Sequence, residues 1–187
     1  MSAVSLEDRF LFDLQGILVL RQVLSPAYCQ AVIAKLEALE AAEYPDLWKA
    51  HLPEGKKGMP TKFVNPNSVR MNGLLRLDPI FDELIDHPEI LPRLQEFMGE
   101  PQLINTWSIA KSQGCPAGGW HRGVGPTDYS CRHGAIRSRM LNVIFMLVDN
   151  GPDDGGVVLV PGSHKNNIDL EWHKYPGLQL PGSQAVT

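Results

Sequence analysis

The stretch Gly155-Gly156-Val157-Val158-Leu159-Val160-Pro161-Gly162-Ser163-His164-Lys165 decides the fold class. Its four consecutive aliphatic residues, three of them β-branched, suit a strand, and the Pro-Gly-Ser that follows cannot continue one. Immediately upstream, Asn150-Gly151-Pro152-Asp153-Asp154-Gly155-Gly156 is the strongest turn signal in the chain. Before that turn lies Met140 to Val148, a nine-residue apolar run interrupted by Asn142. Two apolar runs joined by such a turn predict a β-hairpin. Leu103 to Ala110 is a further alternating run, so the chain after Glu100 predicts an antiparallel sheet or barrel.

The amino-terminal half has a different period. Ser5 stands three residues before Asp8 in a capping-box arrangement, and Phe10, Leu11 and Leu14 supply the apolar spacing of a short helix that Gly16 ends. Ile17 to Leu20 follows as a strand-like aliphatic run. Ser25-Pro26 opens a second helix, because the serine caps and proline at the first helical position gives up no needed N–H. Val32, Ile33, Leu36 and Leu39 then recur at helical spacing to about Ala42, with Lys35, Glu37 and Glu40 outside, as for an amphipathic helix packed on a sheet. Tyr44 to Asn72 carries four prolines and little periodicity and reads as a long surface loop, either a lid or binding loop or a flexible excursion. Further helices are expected from Asp78-Pro79 to about Asp86 and from Pro88 to Met98, where Gly99 stops the second. Helices first and strands after predict one α+β domain over residues 1–187, mostly helical to residue 100 and β-rich beyond.

Composition narrows the class. The chain has 187 residues, 43% apolar and 20% charged, enough to bury a core and far from a disordered composition. Its 17 basic and 21 acidic side chains leave a formal charge of −4. Lys56-Lys57 and Arg137-to-Arg139 are its only short basic clusters, so neither a nucleic acid nor an anionic membrane is an expected partner. Cys29, Cys115 and Cys131 form no CxxC pair, which argues against a disulfide scaffold and for a reducing compartment. The opening MSAVSLEDRF carries acids where a secretory signal needs a basic and then an apolar run, and nine apolar residues are under half of the roughly 20 that span a bilayer. The expected location is the cytoplasm.

Among the six histidines, His51, His87 and His173 sit in polar or helix-end contexts. His121 differs, because Gly118-Gly119-Trp120 before it combines backbone freedom with an aromatic wall, a setting for a metal ligand or general base. A structural histidine capping a hairpin is the alternative.

Gly119-Trp120-His121-Arg122-Gly123, then Leu141 to Asp149, then Gly155 to Lys165 ending in Pro-Gly-Ser-His-Lys, resembles the phytanoyl-CoA dioxygenase family of Fe(II)/2-oxoglutarate-dependent oxygenases. Phe12 to Leu20, followed by Leu24-Ser25-Pro26 and a helix, is similar to the family's opening, so the resemblance spans nearly the whole chain. It implies a double-stranded β-helix, a jelly-roll core flanked by amino-terminal helices. It also implies Fe(II) held by two histidines and a carboxylate, with 2-oxoglutarate, dioxygen and a small organic substrate as partners. On this resemblance His121 is the first iron ligand and the reaction is a hydroxylation.

Two positions depart from the family pattern. Where the family places an aspartate, this chain has Gly123, which has no side chain to bind iron. Three readings stay open: Asp128 supplies the carboxylate; the chain is a metal-deficient, non-catalytic jelly-roll binding domain; or the gap is used, as in halogenases of this chemistry. Asp128 is otherwise a turn residue between Pro126 and Tyr129. The resemblance also places a distal histidine and a carboxylate-binding arginine on later strands, so the expectation is a family member ending before the second half of its site. His164 belongs to the Pro-Gly-Ser-His-Lys turn and is expected to serve that loop. Lys111 and Arg139 are the candidates for holding the carboxylates of 2-oxoglutarate, against a solvated edge residue and a cross-sheet ion pair respectively. Asn142, if buried, needs a hydrogen-bond partner. Trp107 and Trp120 are expected in the core or a pocket wall.

Overall fold

The computed structural model describes residues 4–42, 61–123, 125–151, 154–168, 170–171, 174–175, 177 and 180–186. They divide into two compact units: residues 1–23, 88–101 and 116–187 form the first, and residues 24–87 and 102–115 the second.

The first unit is built on two short helices. In α1 (Leu6–Gln15) the Ser5 hydroxyl accepts the Asp8 N–H at 2.9 Å, and Gly16 closes the helix at φ 75°, its N–H donating to the Phe12 carbonyl. Only a residue without Cβ takes that left-handed turn cheaply. In α3 (Leu91–Met98) the apolar side holds Phe97, which is buried. Phe12 and Phe97 stack with centroids 4.1 Å apart, and Ile136 joins them in a core that Val4, Leu18, Tyr129 and Leu141 flank. Asp8 and Arg93 pair at 3.0 Å and Arg9 and Glu96 at 3.1 Å, tying the polar edges of the two helices together. Ile136 comes from the hairpin of β4 (Tyr129–Arg132) and β5 (Ala135–Ser138), whose register pairs Cys131 with Ile136. Its turn is His133-Gly134, with φ 50° and 77°. Two positive φ values give the turn a twist that matches the strands it joins. A last short pair, β6 (Val158–Leu159) with β7 (Gln184–Ala185), is antiparallel.

The second unit contains α2 (Pro26–Ala41) and a three-stranded antiparallel sheet of β1 (Thr61–Asn65), β2 (Ser68–Asn72) and β3 (Trp107–Lys111), with β2 central. Ser25 caps α2 by accepting the Tyr28 N–H at 3.2 Å, and Val32 on its inner side is buried. The Tyr28 hydroxyl donates to the Ile80 carbonyl at 2.5 Å, and Lys35 pairs with Asp78 at 2.7 Å. Both contacts tie α2 to the 3₁₀ segment Pro79–Leu84, which Asp78 caps. Along β2, Val69 and Met71 are buried while Arg70 points out and lies 5.3 Å over the Trp107 ring.

Several elements differ from the sequence expectations. The helices before Gly16 and from Pro26 form as read; the third begins at Leu91 rather than Pro88, and the segment after Asp78 is a 3₁₀ helix ending at Leu84. Residues 44–60 of the expected loop lie outside the described residues, but residues 61–72 are a hairpin, not loop: Lys62 faces Met71 and Val64 faces Val69 around Pro66-Asn67. The prolines nearby masked a two-residue turn between alternating strands. Ile17 to Leu20 and Met140 to Val148 are not strands. β6 pairs with β7, and among the described residues no ladder joins it to the Met140 to Val148 run, as the hairpin expected across Asn150 to Gly156 requires. An apolar run becomes a strand only when another backbone lies beside it, and for Met140 to Val148 no described segment does; Ile144 is 57% exposed.

Candidate functional site

His121 lies in the irregular segment between β3 and β4, and its side chain is exposed. The glycines before it are not crowded: a Cβ at Gly118 or Gly119 would meet nothing within 4 Å. The backbone freedom that singled out His121 therefore serves no close approach among the described residues. Trp120 is half-buried, and its indole N–H is shielded from solvent with no hydrogen-bond partner among them. Arg122 points to the Pro-Gly-Ser-His-Lys turn, where its guanidinium donates to the carbonyls of Ser163 (2.9 Å) and Asn166 (2.7 Å).

At Gly123 the backbone is not left-handed, and an added Cβ would find only the Met140 side chain, with Sδ at 3.5 Å. That is ordinary contact. The glycine is therefore not demanded by conformation or by crowding at the Cβ position.

Asp128 ends the 3₁₀ turn Pro126–Asp128, and its carboxylate is already engaged. One oxygen accepts the Gly125 N–H at 2.7 Å and the other pairs with Arg139 at 3.2 Å. The Arg139 N–H also donates to the Asp128 carbonyl at 2.9 Å. Two residues read separately from the sequence, one for metal and one for 2-oxoglutarate, are thus each other's partners. Arg139 is 81% exposed, so this ion pair is screened and worth on the order of 1 kcal/mol or less. Lys111 ends β3 in the second unit, whereas His121, Asp128 and Arg139 belong to the first. Asn142 is exposed, so its amide makes no demand for a buried partner. Among the described residues no three His, Cys, Asp or Glu side chains come together as a metal cluster. The donor set among the described residues does not fit iron held by two histidines and a carboxylate.

The polar side chains that converge are others. Tyr129 on β4 donates its hydroxyl to Asp13 at 2.6 Å, and the Lys165 ammonium donates to the Asp13 carbonyl at 2.5 Å. His164 sits edge-on to Tyr129 with centroids 4.4 Å apart. Burial, then the hydrogen bond to the Asp13 carboxylate, raises the Tyr129 phenol well above its ordinary value. An open crevice of about 470 Å³ is lined by Asp13, Tyr129, Ser130, Cys131, Lys165 and Asn167. None of these lining residues was singled out from the sequence. The one signal for the cluster was the Pro-Gly-Ser-His-Lys turn itself, which brings His164 and Lys165 to the end of α1.

Comparisons with known proteins bear on this arrangement. The family model described as phytanoyl-CoA dioxygenase (PhyH) matches residues 12–182. The fold is similar to HygX from Streptomyces hygroscopicus, solved with nickel, 2-oxoglutarate and hygromycin B bound. The TM-score is 0.68 at 19% identity, covering 100% of this chain and 75% of that one. A second HygX structure, with nickel and 2-oxoglutarate, gives a TM-score of 0.67 at 18% identity, covering 98% and 74%. No curated protein matches the chain. At such identities the likeness to HygX is one of fold. The match of the family model, over most of the chain, goes further: this protein belongs to the phytanoyl-CoA dioxygenase family.

Proposed function

We propose that the protein is a 2-oxoglutarate-dependent oxygenase that hydroxylates a small organic substrate on a double-stranded β-helix scaffold in the cytoplasm. The observation that carries this reading is the family match over residues 12–182, whose members use Fe(II) and 2-oxoglutarate. The HygX structures hold nickel and 2-oxoglutarate in a similar fold, one of them with hygromycin B. In this reading His121 is a metal ligand and Lys111 and Arg139 meet carboxylates of 2-oxoglutarate. Asp128 acts as the carboxylate ligand only by giving up Arg139 and the Gly125 N–H. Cys29, Cys115 and Cys131 form no disulfide, in keeping with a reducing compartment.

A second reading is a metal-deficient binding domain. It is supported by the engaged Asp128 carboxylate, the missing side chain at Gly123 and the absence of a three-donor cluster among the described residues. A halogenase-like use of Gly123 draws on the missing side chain at that position. Anaerobic addition of Fe(II) and 2-oxoglutarate separates these readings, because a competent site develops a visible charge-transfer band. A band with substrate-dependent succinate release upholds the oxygenase. No band in the wild type, but a band in Gly123→Asp, upholds the metal-deficient domain, since the variant returns the carboxylate that Gly123 lacks beside His121. Chloride incorporation that Gly123→Asp abolishes upholds the halogenase.

A further inference from the structure

The residue whose surroundings are hardest to reconcile with an ordinary surface loop is His164. Both of its ring nitrogens are shielded from solvent, and neither has a hydrogen-bond partner among the described residues. The ring is seated tightly: a methyl group at Gly16 would stand 2.3 Å from Nδ1 and 2.6 Å from Cγ. Its edge meets Tyr129 at 4.4 Å, and Phe12 lies 6.3 Å away. The turn that carries it is fastened at three further points. The Gly162 N–H donates to the Gln15 carbonyl at 2.8 Å, Lys165 donates to the Asp13 carbonyl at 2.5 Å, and Arg122 donates to the Ser163 and Asn166 carbonyls.

An imidazole can stay in such a seat only while neutral. A neutral ring leaves one N–H and one lone pair unmet, whereas an imidazolium presents two N–H donors and a full charge to the same walls, which costs far more. The charged and titratable groups facing it give little relief. Asp13 on α1 faces it with a backbone that favours the charged ring and a carboxylate whose oxygens already accept Tyr129 at 2.6 Å and lie 3.8 Å from Lys165. Asp128, on the 3₁₀ turn packed against this one, is engaged by the Gly125 N–H and Arg139. Tyr129 on β4 has its hydroxyl turned to Asp13. Lys165 in the turn and Arg122 on the neighbouring segment are both cations.

We propose that the Pro161–Lys165 turn is a proton-released clasp: it docks through a neutral His164 on the end of α1 and on β4, and protonation of that ring frees the turn. Because Arg122 is bonded to this turn, release also unfastens the backbone that carries His121 and Gly123. Burial, with smaller contributions from Lys165 and Arg122 and against the opposing pull of Asp13, holds the His164 imidazole below the ordinary histidine range. The docked turn is therefore fully stable above the ordinary histidine value and loosens as pH falls below it.

The test follows the Gly162 amide, which is bonded across the clasp to Gln15, and the His164 ring signals by NMR between pH 8 and pH 5. After correction for the intrinsic pH dependence of exchange, protection of Gly162 should fall by up to about tenfold per pH unit below about pH 6.5 in the wild type. In His164→Phe, which keeps an aromatic ring in the seat, protection should stay flat over the same range. Flat protection in the wild type overturns the proposal, and so does an equal fall in the variant, which assigns the effect to another group. If His164→Phe does not fold, the wild-type titration still decides. Loss of protection that tracks the His164 ring shifts supports the clasp, and ring titration at an ordinary histidine value with Gly162 unaffected overturns it.

Discussion

At the residue scale, Gly16 shows how one position serves two structures at once. It takes φ 75° to end α1, and the space where its side chain would stand is filled by the His164 ring. Gly16→Ala meets both the left-handed penalty and a collision, and is expected to destabilise the protein by about 2 kcal/mol or more, read as a lower urea midpoint at unchanged m-value. Gly99, with φ 87° and nothing within 4 Å of a Cβ, carries only the conformational part. Gly99→Ala should therefore cost about 1 kcal/mol. If Gly16→Ala costs no more than the left-handed penalty of about 1 kcal/mol, the contact between Gly16 and His164 contributes nothing. Gly123 is the opposite case, a glycine that neither conformation nor packing requires. The sequence alone cannot separate these three glycines, because the distinction lies in what faces each one across the fold.

At the element scale, local rules were reliable wherever the partner was close in sequence. The caps of α1 and α2 were legible because Ser5 with Asp8 and Ser25 with Tyr28 lie within one turn of each other. Ser25→Ala removes that acceptor and should cost about 1 kcal/mol, measured by thermal or urea unfolding. Strands were less legible. The β4–β5 hairpin went unread, because His133-Gly134 is a weaker turn signal than Asn-Gly and Ser130 and Arg132 dilute the apolar pattern. Met140 to Val148 was over-read for the converse reason, since high apolar content does not supply a neighbouring backbone. The candidate site divided along the same line. His121 and Gly123 were picked out by a contiguous motif, whereas the pairing of Asp128 with Arg139, and of Asp13 with Tyr129 and Lys165, joins residues 11 to 152 positions apart.

At the scale of the whole molecule, four titrating groups shape the pH range of stability: His164, Asp78, Tyr129 and Tyr28, the last raised chiefly by burial. His164 is depressed chiefly by burial, so its contribution is present above the ordinary histidine value and is lost as pH falls through that region. Asp78, depressed by its hydrogen bond to Lys35, adds a further loss at lower pH, in the carboxylate range. Tyr129 is raised by burial and by Asp13, so stability declines again once pH exceeds the ordinary phenol value and the unfolded chain ionises first. A melting-temperature plateau between about pH 7 and about pH 9.5 is expected, with a shallower alkaline limb in Tyr129→Phe. A maximum near pH 5 would contradict it. By itself the sequence determined the family and the helix caps, because each is written in residues adjacent along the chain; the expected order of helices before strands did not hold, since β1 and β2 precede α3. Only the tertiary structure decided which strands pair, that Asp128 and Arg139 occupy one another, and that the His164 ring fills the space beside Gly16. Those outcomes depend on which distant surfaces exclude water from one another, and no local pattern of residue types encodes that.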